Sequence, residues 1–302
     1  MQRLEKENNR IFIDAYGLQD ELTPDVPLSE ITLTCNPHYR YGGNKTEEEL
    51  EVLLLTDTMK ELISYAIGCM MGRYSLDHPG LIYAHGGNIG FDPSKYTTFP
   101  ADEDGIVPVM DQDWFPDDAT NRFVQFLKTA WPPETLDDNL KFVAGALKPK
   151  NNEASIETIR RYLSAGFFKD HLRTYKKRPI YWLFSSGKHK AFECLVYLHR
   201  YNESTLSRMR SAYVTPLQGH FSARIEFLQT EKDAATTASA QRKIQKELET
   251  LKKKQTELRR FDDNLRHHAD MKIALDLDDG VKVNYGEFGD LLAETKAVTG
   301  RK

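Results

Sequence analysis

Cysteine is scarce in this chain: Cys35, Cys69 and Cys194 stand alone among 302 residues. They are odd in number, widely spaced and include no Cys-x-x-Cys pair, which argues against a zinc site and for a reducing compartment. Long apolar runs are missing too. The most apolar stretch, residues 62–71, is far shorter than the roughly 20 residues that span a bilayer, and no signal peptide is present. The sequence therefore reads as soluble and cytoplasmic, with no membrane partner. Net positive charge is also lacking, since 41 Lys and Arg face 45 Asp and Glu for a formal charge of −4. Dedicated nucleic-acid binders are usually basic overall, so any DNA contact must come from local segregation of charge.

Catalytic motifs are equally sparse. Asn36-Pro37-His38-Tyr39 is close to the Asn-Pro-Pro-Tyr motif with which amino-group methyltransferases hold a flipped base. Its third position is His38 rather than a second proline, and no Gly-rich cofactor loop follows a strand upstream of it. Gly86-Gly87-Asn88-Ile89-Gly90 lacks a strand-loop-helix setting. The segment around Asn36 is read as a packed turn, and no catalytic residue is assigned. His267 and His268 are adjacent, so on a helix they diverge and form no metal pair. Placing Gly280 at the sixth position of a calcium loop puts Leu275 at the first ligand position, and that motif fails. Ser185 and Ser186 lack the flanking glycines of a nucleophile elbow and read as turn residues.

What is present is helical periodicity. Leu4, Ile11, Phe12, Ala15 and Leu18 share helical spacing, with Gly17 as the stop and no N-cap sequence ahead; the chain opens as a cut through a longer polypeptide would. Thr46 and Glu49 form a capping box for a long apolar helix reaching Gly72. Residues 79–116 are rich in Gly and Pro, with strand candidates at 81–84 and 106–110. Helices are expected over 117–130, over 133–147 and after Ser155. Residues 180–184 and 191–199 read as two strands around a Gly-containing turn, the second buried on both faces. From Thr205 the chain turns helical, and Ile244, Leu248, Leu251, Gln255, Leu258, Asp262 and Leu265 repeat at the 4-3 spacing of a short coiled-coil seam. An Ala- and Thr-rich stretch, residues 234–240, precedes it as the bend of a helical hairpin. Asp278-Asp279-Gly280 reads as a turn between short strands, with a last helix from about Phe288. The expected class is α+β, predominantly helical, with a few short strands and a long C-terminal helical hairpin. Three parts are expected: residues 1–202 as a mixed, mainly helical DNA-facing domain, 203–272 as the hairpin, and 273–302 packing back.

Charge is segregated along the chain. Residues 101–118 carry seven acids and no Lys or Arg. Residues 169–178 carry Lys169, Arg173, Lys176, Lys177 and Arg178 against Asp170 alone. The run Lys176-Lys177-Arg178-Pro179-Ile180-Tyr181-Trp182 joins a basic cluster to an aromatic strand. Lys176, Lys177 and Arg178 are the candidate phosphate contacts, with Lys188 and Lys190 supporting them if the intervening hairpin folds back. Tyr181 and Trp182 read first as core residues and second as platforms for an unpaired base. Lys252, Lys253, Lys254, Arg259 and Arg260 read as the polar face of the late helix.

The same run, together with Leu198-His199-Arg200-Tyr201, Thr34-Cys35-Asn36-Pro37-His38-Tyr39-Arg40-Tyr41-Gly42 and residues 273–285, resembles the C-terminal part of the PglX family. These are the adenine-specific DNA methyltransferases of BREX phage-defence systems. The resemblance implies S-adenosylmethionine-dependent methylation of adenine N6 by a core lying upstream, which alone would hold that cofactor. This chain would bind no cofactor, be no enzyme by itself, and help grip double-stranded DNA. The upstream core would be its intramolecular partner. Other BREX proteins and acidic phage proteins that mimic DNA are further partners this reading admits. The alternative is a protein-docking module of the defence complex with no direct DNA contact.

Overall fold

Helices begin and end where the sequence supplies the chemistry for it. The computed structural model describes residues 1–300 and resolves into two compact units, Met1–Leu62 and Ile63–Lys302. In the first, α1 (Gln2–Tyr16) stops at Gly17, whose left-handed φ of 67° closes the cap through N–H bonds to the Asp14 and Ile13 carbonyls. The short α2 (Pro37–Tyr41) is capped by the Asn36 side chain. The long α3 (Glu47–Met70) starts at the expected capping box: the Glu49 N–H donates to Thr46 Oγ1 and the Thr46 N–H to Glu49 Oε2. The α3 residues Ile63, Ala66, Ile67 and Met70 belong to the second unit and are fully buried.

The second unit is built on a small antiparallel sheet in the order β1-β3-β2, from β1 (Ile106–Pro108), β2 (Tyr181–Ser185) and β3 (Glu193–Tyr197). Val196 lies between Ile106 and Trp182, and Leu195 between Val107 and Leu183. Every residue of the three strands is buried, so β3 is the central, two-face-buried strand that its apolar run predicts. Around the sheet run α4 (Ala119–Ala130), α5 (Leu136–Ala146), α6 (Ser155–Tyr162) and α7 (Phe168–Thr174), with a π-helical turn, Leu163–Phe167, between the last two.

Beyond α8 (Thr205–Met209) stand the two long helices α9 (Thr215–Ala234) and α10 (Ala238–Asp270), which pack on one another. The predicted seam is the inner face of α10: Leu248, Leu251, Leu258 and Leu265 are buried. Its two polar positions have partners, Gln255 donating to Ser222 Oγ at 3.0 Å and Asp262 accepting from Arg210 at 2.7 and 3.2 Å. Two short helices, α11 (Val281–Gly286) and α12 (Thr295–Thr299), follow. Tyr285 and Phe288 return to the sheet, meeting the Trp182 ring edge-on at 5.2 and 5.6 Å.

The predominantly helical α+β class is as expected. Three local expectations differ. Residues 81–84 form no strand: the Ile82 N–H bonds to the Arg73 carbonyl and no ladder extends from it. The region of Asp278 is a 3-10 turn, Leu277–Asp279, leading into α11 rather than a hairpin, because Asp276 caps it by accepting the Asp278 N–H. The last helix starts at Thr295 instead of near Phe288, since Leu292 and Ala293 are drawn alongside β2, where the Ala293 N–H donates to the Leu183 carbonyl at 2.8 Å.

Candidate nucleic-acid interface

Basic residues gather where α7 gives way to β2. The helix ends without glycine, and Lys176 and Lys177 take the left-handed turn, with φ of 48° and 61°. Such backbone costs a non-glycine residue about 1–3 kcal/mol each and persists only where the surroundings hold it. They do so here. The Lys177 N–H donates to the Leu172 carbonyl at 2.7 Å and the Arg178 N–H to Tyr175 at 2.9 Å. Beyond the turn, His171 Nε2 accepts both the Ile180 and Tyr181 N–H groups at 3.1 Å. Accepting through that nitrogen requires a neutral ring. Burial, with the Arg73 charge nearby, pushes its pKa down to about 3, so the imidazole is neutral at physiological pH. Lys176, Lys177 and Arg178 are all exposed and, among the described residues, none has a carboxylate partner.

The second basic pair occupies the β2–β3 turn. Lys188 is exposed and unpaired among the described residues. Lys190 is engaged, its Nζ donating to Glu193 Oε2 at 2.9 Å and to the Ser164 carbonyl at 2.8 Å. That carbonyl lies in the π-helical turn, where the altered bonding pattern frees an acceptor. Burial pushes the Glu193 carboxyl up, opposed by Lys190 and by the Ser185 hydroxyl. The turn is fastened by Glu257 of α10, which accepts from Ser186 Oγ at 2.8 Å, the His189 N–H at 2.7 Å and the Ala191 N–H at 3.2 Å.

The two basic groups do not merge. They sit beyond opposite ends of β2, a five-residue strand about 17 Å long at roughly 3.3 Å per residue. The hairpin does not fold Lys188 and Lys190 back onto Lys176–Arg178.

Tyr181 and Trp182 are core residues, 2% and 1% exposed. Tyr181 stacks on His171 with centroids 4.9 Å apart, and Trp182 donates its indole N–H to the Pro179 carbonyl at 3.0 Å. With both faces covered, neither ring can receive a base, and the stacking role is dropped in favour of core packing. Lys254 is also no part of a polar face: it is buried and bonds both oxygens of Asp111, at 2.8 and 2.6 Å. The acids of residues 101–118 are mostly structural. Asp118, fully buried, caps α4 and pairs with Arg160, and Asp102 Oδ1 accepts the N–H groups of Asp104, Gly105 and Ile106.

The methyltransferase-like tetrapeptide, expected as a packed turn, is the N-cap and first turn of α2. Asn36 spends its amide on the carbonyls of Leu28, Ser29 and Ile31 and its oxygen on the His38 N–H. Asn88 of the glycine-rich stretch is likewise used, accepting from Arg200 Nε at 3.0 Å. Ser185, expected in the turn, is the buried last residue of β2 and donates to Glu193, while Ser186 opens the turn and donates to Glu257. Among the described residues no group of His, Cys, Asp or Glu is placed to hold a metal ion, and no helix is long and apolar enough to cross a membrane.

The candidate interface is thus an exposed basic turn between a helix and a strand of a mainly helical α+β scaffold. Sequence comparison agrees with the family resemblance. Over 98% of its length the chain is 55% identical to the adenine-specific methyltransferase BrxX of Escherichia coli strain HS. It is 42% identical, again over 98% of its length, to the adenine-specific methyltransferase PglX of Lacticaseibacillus casei strain Zhang. It spans only about a quarter of either relative, 25% and 23%. No protein-family model matches the chain.

Proposed function

We propose that this chain is the C-terminal, non-catalytic, DNA-gripping portion of a site-specific adenine-N6 DNA methyltransferase of BREX phage defence. In this reading S-adenosylmethionine and the base-flipping chemistry belong to the upstream core of the parent polypeptide, which works in the cytoplasm. Residues 1–202 face DNA, the hairpin 203–272 braces the turn through Glu257, and residues 273–302 pack back on the sheet. The observation that supports it most is the exposed triad Lys176, Lys177 and Arg178, held on a strained turn without carboxylate partners. Cations kept unpaired at a fixed place on an acidic chain suit phosphate contacts, which position a protein without reading sequence. Lys188 at the far end of β2 extends the footprint: roughly 17 Å corresponds to about five base pairs at 3.4 Å each. An acidic protein that mimics DNA would meet the same cations.

The test is fluorescence anisotropy of labelled duplex DNA across a salt series, with the chain and with Lys176→Glu/Lys177→Glu/Arg178→Glu. Each phosphate neutralised adds about −0.9 to the slope of log affinity against log salt. Loss of three contacts should therefore shallow the slope by about 2.7 while circular dichroism stays unchanged. Absence of DNA binding at low salt, or an unaltered slope in the variant, would refute the grip and leave the docking module.

A further inference from the structure

A cavity of about 300 Å3 lies at the root of the helical pair, between α9, α10 and the loop at Asp111–Trp114. Its floor is apolar, formed by Trp114 and the buried Leu251, and its rim carries Arg224, Lys243, Lys246 and Lys254. Only two carboxylates line it, and both are engaged: Glu247 with Arg224 at 2.7 Å and Asp111 with Lys254. Lys243 and Lys246 are exposed and have no partner among the described residues. The cavity therefore carries an excess of two positive charges in a chain whose net charge is −4.

Trp114 adds a second, independent observation. Its ring is fixed by Phe221, edge-on at 5.1 Å, and by the near-parallel His220. An apolar floor with an indole ring held in place and two exposed cations at the rim describe a ligand with an aromatic body and an anionic tail. The volume sits at the lower end of the range of about 300–1,000 Å3 for small-molecule pockets, enough for a ligand of mononucleotide size.

We propose that this cavity binds a free nucleotide, with the base against Trp114 and Leu251 and the phosphates on Lys243 and Lys246. The site is separate from the basic turn at Lys176. Because Lys254 and Asp111 tie the 111–114 loop to α10, an occupant would brace the junction between the sheet and the hairpin.

Isothermal titration calorimetry of the 302-residue chain with ADP, with pyrophosphate and with a short duplex, at physiological salt, tests this. ADP should bind one to one, and pyrophosphate more weakly. Lys243→Glu/Lys246→Glu should weaken ADP at least about tenfold, the lower limit for loss of even one charge-assisted hydrogen bond. Lys252→Glu/Lys253→Glu makes the same charge change on exposed residues of α10 that do not line the cavity, and should leave ADP affinity unchanged. All four lysines are exposed, so neither variant threatens folding. No heat with millimolar ADP would overturn the proposal, as would equal losses in the two variants, which would mean diffuse attraction. Pyrophosphate binding as tightly as ADP would remove the base from the site. Duplex DNA showing the Lys243/Lys246 dependence in place of ADP would make these residues backbone contacts instead.

Discussion

Glu257 accepts the His189 N–H at 2.7 Å, although 68 residues separate them in sequence. Through this bond and those to Ser186 and Ala191, the middle of α10 sets the shape of the turn that carries Lys188. Replacing Glu257 by Ala leaves three donors unmatched, and the cost expected is about 1–3 kcal/mol. In a unit of this size that lowers Tm by several degrees. Thermal denaturation measures it, and faster amide exchange at His189 and Ala191 locates it.

Lys188 and Lys190 should separate under mutation. Lys188→Glu is expected to weaken DNA binding with no change in stability, as Lys188 is exposed and has no hydrogen-bond or ion-pair partner among the described residues. Lys190→Met strips the buried Glu193 of its cation and should destabilise the fold. Lys190 is half exposed, and Ser185 still donates to Glu193, so about 1–2 kcal/mol is a suitably discounted figure. Urea denaturation beside anisotropy distinguishes the two.

His171 makes stability depend on pH. Its folded pKa is about 3, below the ordinary value near 6.5, so between those values the unfolded chain binds the extra proton. Its contribution is therefore complete above about pH 6.5 and declines as pH falls toward 3, by up to about 1.4 kcal/mol per unit. His171→Gln keeps an acceptor near the Ile180 and Tyr181 N–H groups but does not titrate. Its unfolding free energy should vary less between pH 7 and 5 than that of the unaltered chain, and an identical dependence would exclude His171 as the source.

Arg200 should tolerate no replacement. It is 1% exposed, lies 3.7 Å over the Phe91 ring and donates to Asn88 and to the carbonyls of Asp102 and Glu103. Lysine has one nitrogen and cannot match that fork. Arg200→Lys is expected to cost about 3–5 kcal/mol in denaturant unfolding, without altering the salt slope of DNA binding if the protein is kept folded.

Much of the fold is legible from local chemistry. The capping box at Thr46 and Glu49, the stop at Gly17 and the leucine seam of α10 all act within a few residues of themselves, and the structure contains each. The two strands around Ser185 to Lys190 are similarly readable, because a continuous apolar run must be covered on both faces. The 273–285 region misled because Asp-Asp-Gly serves a 3-10 turn as readily as a hairpin, and the Asp276 cap together with packing of Tyr285 and Phe288 on Trp182 favours the turn and helix. Glu257 and His171 left no mark in the sequence: each contributes through bonds to distant or differently folded backbone. Glu193 left a faint one, as a lone acid in an apolar strand.

The sequence alone determined the helical class, the place of the three strands that form the sheet, the place of the basic cluster and the resemblance that sequence comparison then matched. These depend on spacing and residue type, which are local. Tertiary structure decided which charges are available. It buried Lys254 and Arg200, occupied Lys190, enclosed Tyr181 and Trp182, and left Lys176, Lys177, Arg178 and Lys188 exposed. It also set the two basic groups at opposite ends of β2. Whether a cation is a surface contact or an internal strut depends on the carboxylates, carbonyls and rings that folding brings beside it, and these come from remote parts of the chain.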